Sequence, residues 1–278
     1  MRFALALISA AAGVAAAGAA SAASPSVEIR DAVARVTVVP EDRADVKIEM
    51  LTTNPSLPLA VRVSGSVTVI DGGLSHRIND CHTHGDHPSA FVRGVGEIHY
   101  DDMPQIVIHT PKAVAVEAGG AVYGSVGRSG SLDLENAGCS AWTIADVAGD
   151  ASLRESGAGS VRMGAANKLA LQLSGAGSVH ATQVRQALDA TLSGAGGVHV
   201  DDLTGAMTAH VSGVGQIKIE NGHATAVHAS VSGVGGISFG GDAQTLDASI
   251  SGFGGIRVKS VSGQVTKSVS GGGHVTVG

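Results

Sequence analysis

In the second half of the chain, apolar and polar residues alternate in short runs that meet at a recurring glycine-rich corner. In one unit the apolar face carries Leu188, Ala190 and Leu192 before the corner. The same face continues with Val198 and Val200 after it, while aspartate, threonine and histidine fill the positions between. Alternation with a period of two indicates a strand with one buried face. Each unit therefore predicts two short strands joined at a corner.

The corner is a phrase that recurs at a nearly constant interval. Seven copies read SGAGSVRM, SGAGSVHA, SGAGGVHV, SGVGQIKI, SGVGGISF, SGFGGIRV and SGGGHVTV, and they begin at residues 156, 174, 193, 212, 232, 251 and 270. Successive copies lie 18 to 20 residues apart. Weaker copies begin at residues 137, 118 and 93. A period of this length indicates a solenoid, in which each repeat packs only on its neighbours.

Two strands and a corner per repeat predict an all-β fold, a parallel β-helix in which each strand pairs with its copy one turn along. The general bias of parallel crossovers predicts a right-handed coil. Glycines suit the corner, because they permit positive φ and let neighbouring coils approach closely. The few apolar side chains of one rung cannot offset the entropy lost in ordering it, so the rungs must stack to fold.

The first 22 residues have the composition of a cleaved secretory signal peptide. Met1 and Arg2 precede an alanine-rich apolar run that ends at the small-x-small site Ala20-Ser21-Ala22. A retained anchor is the alternative, but alanine and glycine are weakly hydrophobic and no charged stop-transfer segment follows. No later stretch is apolar over about 18 residues. We therefore expect export to the periplasm or cell surface, and a mature chain without a transmembrane segment.

The mature chain divides into an N-terminal β segment, residues 23–92, and the parallel β-helix repeat region, residues 93–278. Strand-like runs in the first part are broken at Pro40 and Pro55, and we expect them to form irregular coils and a cap over one end of the helix. The repeat region reaches Gly278 directly after a strand. An open last coil would expose strand edges, which predicts a homo-oligomer or another partner at that end.

The net charge and the two cysteines limit which partners and which cellular compartment we expect for this protein. The net charge of −6 argues against nucleic acid or anionic lipid as the main partner. Only two cysteines occur, Cys81 and Cys139. In an exported protein such a pair predicts a disulfide. A free thiol or a metal ligand is the alternative.

The segment CHTHGDHP, residues 81–88, concentrates possible metal ligands. His82 and His84 would alternate onto one face of an extended segment, and His87 could complete a set of three nitrogens for zinc or copper. The same letters match the His-x-His-x-Asp-His pattern of metallo-β-lactamase-like hydrolases, but glycine-rich rungs follow in place of that fold. A polar surface loop without any cofactor is the simpler interpretation.

A second candidate site follows from the repeat itself. The outward position before the last apolar residue of successive units forms a basic stripe, which comprises Arg162, His180, His199, Lys218 and Arg257. Neighbouring copies would lie about 4.8 Å apart. The stripe could bind a cell-surface glycan, a polymer or a protein, although a solvated face is the plainer alternative. Protonated His180 and His199 would repel each other, which predicts weaker stacking below about pH 6.

Catalysis is not expected. Asp189 and Asp247 share an outward column but lie three rungs apart, roughly 14 Å. Glycosidases hold their two carboxyl groups about 5 to 9.5 Å apart. One tryptophan and two tyrosines also provide few platforms for stacking sugar rings. We therefore expect a protein that is not an enzyme, with a polysaccharide-active or metal-dependent hydrolase as the weaker alternative.

The serial Ser-Gly-x-Gly units behind a secretory signal resemble the bacterial auto-transporter adhesin, head GIN domain family. The resemblance covers residues 30 to 278 and is carried by the repeat. Many members have Asp after the second glycine, whereas these copies have Ser, Gly, Gln or His there. The resemblance implies an exported β-helical protein of the cell envelope, an adhesin or a structural module, with no catalytic residues to transfer.

Overall fold

A computed structural model describes residues 24–82 and 88–278 of the chain. These residues form strands β1 (Ser26–Glu41), β2 (Lys47–Thr52), β3 (Ala60–Ser64), β4 (Val67–Asp71), β5 (Ile78–His82), β6 (Ser89–Val92), β7 (Gly96–His99), β8 (Gln105–Pro111), β9 (Ala113–Val126), β10 (Ser131–Gly138), β11 (Ala141–Ile144), β12 (Ala151–Glu155), β13 (Ser160–Leu173), β14 (Ser178–Leu192), β15 (Gly197–Val211), β16 (Gln216–Val231), β17 (Gly236–Ala243), β18 (Leu246–Ile250), β19 (Gly255–Val261), β20 (Val265–Val269) and β21 (His274–Val277). Two 3₁₀ helices span Ser75–Arg77 and Tyr100–Asp102. Among the described residues, no helix has the length and apolar character needed to cross a bilayer.

The strands from β9 onward stack in parallel, each on its copy in the next coil. Ser160 pairs with Ser178, Ser178 with Gly197, and Gly197 with Gln216, so the ladder advances by one repeat at a time. A second ladder joins the strands that precede each corner. This register confirms the predicted parallel β-helix with rungs of about 19 residues.

The interior of the coil is filled by columns of aliphatic side chains. In the coil formed by β14, the inward residues are Val179, Ala181, Val184, Leu188, Ala190 and Leu192, each at most 3% exposed. Each stacks on an equivalent apolar residue of the neighbouring coils, and the result is one continuous core. Trp142, the single tryptophan, belongs to this core and is 1% exposed.

The corner glycines are needed for close approach between neighbouring coils, as predicted, but the positive φ that glycine permits is adopted in only some copies. A Cβ atom added to Gly213 would lie 2.0 Å from the carbonyl oxygen of Gly194 in the preceding coil. No residue of the seven Ser-Gly-x-Gly copies has positive φ. Positive φ occurs at Gly120 and Gly138 in the weaker copies that begin at residues 118 and 137, and within β15 and β16 at Gly205 and Gly222.

The first strand in the sequence is not the first coil in space. β1 pairs in parallel with β9 on one side and with β4 and β8 on the other. β2 and β3 add in antiparallel to β8 and β4, and they cover that end of the ladder as a cap. The chain therefore leaves the solenoid after β1, forms the cap, and returns on the opposite side of β1.

A small antiparallel sheet of β5, β6 and β7, called here the side sheet, packs beside the first coils. It forms a second core with Leu57, Leu74, Met103 and Tyr123. The weak repeat copy predicted at residue 93 is wrong as a rung, because β7 pairs with β6 in the side sheet. The predicted boundary between the N-terminal β segment and the repeat region, at residue 92, lies in the hairpin formed by β6 and β7.

The predicted disulfide is present and ties the side sheet to the solenoid. Cys81 lies on β5, and Cys139 lies between β10 and β11. Their Cα atoms are 6.2 Å apart, within the range that a disulfide spans. The bridge closes a sequence separation of 58 residues. Cys81 is therefore not available as a metal ligand.

The last coil carries a charge at an inward position. Lys267 pairs in register with the buried Ala248, and its Nζ atom donates a hydrogen bond to the carbonyl oxygen of Val275 at 3.4 Å. Val265 and Val269 on either side are 38% and 45% exposed. Inward-pointing charges protect sheet edges from further pairing. The predicted homo-oligomer at this end stays a prediction, and Lys267 opposes a second copy stacked in register.

Two polar side chains interrupt one of the apolar columns near the cap. Asn136 and Glu155 occupy equivalent inward positions in adjacent coils. In the next two coils the same position is taken by Leu173 and Leu192. Glu155 is 3% exposed. It accepts hydrogen bonds from the Asn136 amide and from the backbone N–H of Gly157. Burial raises the pKa of the Glu155 carboxyl above its ordinary value, and these hydrogen bonds oppose the shift.

Replacing Glu155 with glutamine is expected to stabilise the protein at about pH 8 by about 1 to 3 kcal/mol. Because the folded-state pKa is raised, the charged form costs stability above that pKa, and the cost is relieved as the pH falls towards the unfolded value. Thermal unfolding near pH 8 and near pH 4.5 measures the effect, and the gain should shrink at the lower pH. The exposed Asp189→Asn provides the control. An equal gain at both pH values would contradict the assignment.

Candidate binding face

The outward side of the strands that follow the corners forms one continuous surface, called here the polar face. The structure places the basic stripe on it in register: Arg162 pairs with His180, His180 with His199, and His199 with Lys218. Ser238 separates Lys218 from Arg257. The stripe continues towards the cap as Thr143, Ser125 and Thr37. The parallel ladder thus aligns residues from every coil along one surface.

Acidic residues stand beside the two histidines of the stripe. Asp201, two residues after His199, lies on the same face because side chains two apart on a strand point the same way. Its Oδ1 atom is 2.8 Å from Nε2 of His180 and 3.2 Å from Nε2 of His199. The two rings meet edge to face, with centroids 4.9 Å apart. His180, His199 and Asp201 are called here the histidine cluster.

The predicted repulsion between His180 and His199 is countered by this carboxylate. The hydrogen bond from His180 and the attraction of both rings hold the pKa of Asp201 below its ordinary value, against the opposing effect of desolvation. The stability that the charged Asp201 contributes is therefore lost only as the pH falls through its lowered pKa. The weaker stacking of these coils below about pH 6 stays a prediction.

A shallow groove lies farther along the polar face and is floored by glycines. Gly236 and Gly255 stand in the column between Gln216 and His274, so two coils lack side chains there. The groove has a volume of about 360 Å³, and its lining includes Lys218, Arg257 and His274. This region is called here the glycine groove. It brings cationic side chains to the edge of an open, backbone-lined surface.

Another groove lies where the side sheet meets the polar face. The guanidinium carbon of Arg35 is 5.1 Å from the centroid of the Tyr100 ring, and Tyr100 meets Tyr123 edge to face at 6.0 Å. Tyr123 donates a hydrogen bond to the carbonyl oxygen of Ser89 at 3.0 Å, and burial raises the pKa of Tyr123 to about 12. The volume is about 350 Å³. Both tyrosines of the chain therefore line one groove, here the tyrosine groove.

The predicted three-histidine metal site lies largely outside the described residues. His82 is exposed at the end of β5, and its carbonyl oxygen accepts a hydrogen bond from Tyr123 at 3.2 Å. His84 and His87 fall within residues 83–87, outside the described part of the chain. This site, with zinc or copper as its expected ion, stays a prediction.

The carboxylates considered for glycoside cleavage are not brought together. Asp189 pairs with Thr208, Thr208 with His228, and His228 with Asp247, so three coil steps separate the two aspartates. Asp247 lies instead beside His228, with 3.8 Å between Oδ2 and Nδ1. The outward column that contains Asp189 and Asp247 therefore provides contacts between one histidine and one aspartate, not a pair of carboxylates.

Sequence reasoning identified the stripe but missed its acidic partners and the tyrosine groove. Asp201 and Glu220 follow the last apolar residue of their units, and their period-two spacing from His199 and Lys218 was the available signal. No comparable spacing in the sequence indicates the tyrosine groove. Arg35 reaches it because β1 inserts into the ladder beside β9, and Tyr100 reaches it from the turn after β7.

Two solved structures resemble this fold along most of the chain. One, named "Putative lipid binding protein", is from Parabacteroides distasonis and is 20% identical, with a TM-score of 0.51 over 92% of this chain and 93% of that chain. The other, named "a putative adhesin", is from Bacteroides fragilis and is 18% identical, with a TM-score of 0.42 over 91% and 92% of the two chains. The first likeness shows the β-solenoid fold alone. No protein-family model matches the sequence, and no curated protein matches it significantly.

Proposed function

We propose that this chain is an exported, non-catalytic β-helix protein of the bacterial cell envelope that binds a polyanionic glycan or polymer along its polar face, as an adhesive module. The observation that carries the proposal is the glycine groove. There Lys218, Arg257 and His274 surround a floor of backbone on an otherwise acidic protein. The disulfide supports an oxidising compartment, as does the N-terminal signal pattern, which lies outside the described residues.

The chemistry of the groove suits an extended anionic chain. Lys218 and Arg257 stand two coils apart, about 10 Å along the ladder, which matches a ligand with repeated charges better than a single small anion. The glycine floor lets such a chain lie close to the backbone. Arg257 is exposed, and Lys218 is held by Glu220, with 2.6 Å between Nζ and Oε1. Binding would rely on charge, so it should weaken with salt.

Fluorescence anisotropy with a labelled oligogalacturonate, a chain of uronic acids, tests this proposal. The double substitution Lys218→Ala and Arg257→Ala is expected to weaken binding about ten-fold or more. Arg185→Ala, which removes an exposed arginine that contacts Gln183, is the matched control and should bind normally. Absence of binding at low salt, or equal binding by the double variant, would overturn the proposal.

Contact with a lipid surface is the second candidate, and an exposed apolar ridge favours it. Val214, Val234 and Phe253 occupy the third position of successive corners and are 66%, 61% and 77% exposed. Each lies two residues before a residue that lines the glycine groove, namely Gln216, Gly236 or Gly255. The name of the Parabacteroides distasonis protein agrees with this candidate. Flotation with anionic phospholipid vesicles measures lipid contact separately from glycan binding. The Phe253→Ser variant shows whether the apolar ridge is responsible for that contact.

A further inference from the structure

The histidine cluster joins two neighbouring coils through groups that can ligate a metal. His180 belongs to β14, and both His199 and Asp201 belong to β15. One ligand atom from each of the three residues lies within 4.8 Å of the other two. The parallel register places His180 directly beside His199, so folding of the solenoid itself brings the two imidazoles together.

We propose that His180, His199 and Asp201 bind a divalent transition-metal ion, with zinc as the best-matched ion. Two imidazole nitrogens and one carboxylate oxygen form a common zinc ligand set. With zinc–ligand bonds of about 2.0 to 2.2 Å, ligand atoms in a tetrahedral site lie roughly 3.3 Å apart. The Asp201 oxygen is 2.8 Å and 3.2 Å from the two imidazole nitrogens. The two imidazole nitrogens lie within 4.8 Å of each other, so the rings would rotate towards Asp201 to bring all three ligand atoms to this spacing.

The charge and exposure of the cluster suit an ion that enters from solvent. The side chains of His180, His199 and Asp201 are 42%, 37% and 46% exposed. Glu220, in the next coil, brings Oε1 within 3.5 Å of Nε2 of His199 and can supply a fourth ligand. A bound ion would then link three successive coils.

Other histidines of the described chain lack this convergence. His223 faces Asp242 at 3.6 Å and His228 faces Asp247 at 3.8 Å, each pair spanning adjacent coils. Each of these pairs has one histidine and one carboxylate, whereas the cluster has two histidines that share a carboxylate oxygen. The substitution His228→Ala therefore provides a matched control, because it removes an imidazole that faces an aspartate outside the cluster.

Isothermal titration of the purified, oxidised protein with Zn²⁺, together with thermal unfolding, tests the site. In a His82→Ala/His84→Ala background, which removes the other predicted metal site, we expect about one strongly bound zinc per chain. We also expect a rise in Tm of roughly 5 to 10 °C at a hundred-fold excess of zinc over its dissociation constant. Mg²⁺, which prefers oxygen ligands, should give neither effect. His180→Ala and His199→Ala should each weaken zinc binding about ten-fold or more, and His228→Ala should leave it unchanged.

Two outcomes would overturn the proposal. One is the absence of zinc binding and of any Tm shift in the unsubstituted protein. The other is a zinc effect that persists in the His180→Ala/His199→Ala double variant, which would place the ion elsewhere. Both are independent of glycan binding, because the oligogalacturonate experiment substitutes Lys218 and Arg257 and leaves the histidine cluster intact.

Discussion

Replacing Gly213 with alanine is expected to destabilise the solenoid by roughly 3 kcal/mol or more, which corresponds to a fall in Tm of roughly 6 to 12 °C. The new methyl group would lie 2.0 Å from the carbonyl oxygen of Gly194 and 2.7 Å from that of Ser193. Both atoms belong to the backbone of the preceding coil, so no side-chain rotation can relieve the overlap. The two coils would have to separate at the corner and lose ladder hydrogen bonds.

Gly197→Ala is the matched control for this substitution. Gly197 stands four residues after a corner serine, and a Cβ atom there would meet only the carbonyl oxygen of Gln216 at 3.8 Å, an ordinary contact. Its stability should be unchanged or slightly raised, because alanine lowers the entropy of the unfolded chain. Thermal unfolding of both variants makes the comparison. Equal effects at Gly213 and Gly197 would show that coil spacing at the corner is not the reason for glycine there.

Removing the disulfide with Cys81→Ser and Cys139→Ser is expected to lower the free energy of unfolding by about 4 kcal/mol. The value follows from the loop entropy of the 58-residue separation in the unfolded chain. The side sheet should be affected first, because β5 is held to the solenoid by this bridge and by the Tyr123 hydrogen bonds to Ser89 and His82. The far coils pack only on their neighbours and should stay folded.

Thermal unfolding and limited proteolysis measure this prediction together. The double serine variant should unfold at a lower temperature and be cleaved sooner in the side sheet, whereas cleavage in β14 to β16 should be unchanged. The unsubstituted protein treated with a reductant is the control and should match the variant. A variant that is as stable and as resistant as the oxidised protein would disprove the structural role of the bridge.

The candidate sites were predictable where they follow the repeat and unpredictable where they depend on coils that are distant in sequence. The stripe from Arg162 to Arg257 could be identified because one position recurs in every unit. The spacing of Asp201 from His199 placed it on the same face, but its contact with His180 could not be predicted, since that contact runs diagonally between coils. Arg35 and Tyr100 meet only because β1 lies between β8 and β9, an order of strands that no local pattern specifies.

The sequence by itself determined the all-β class, the parallel coil, the rung length and the columns of the core, because a period-two pattern repeated about every 19 residues encodes local strands and their neighbours. The pairing of Cys81 with Cys139 also followed from composition. Only the tertiary structure decided the insertion of β1, the side sheet, the backbone angles of the corner glycines and the meeting of His180, His199 and Asp201. These features depend on distances between backbones and side chains of different coils, which are fixed only once the coils are stacked.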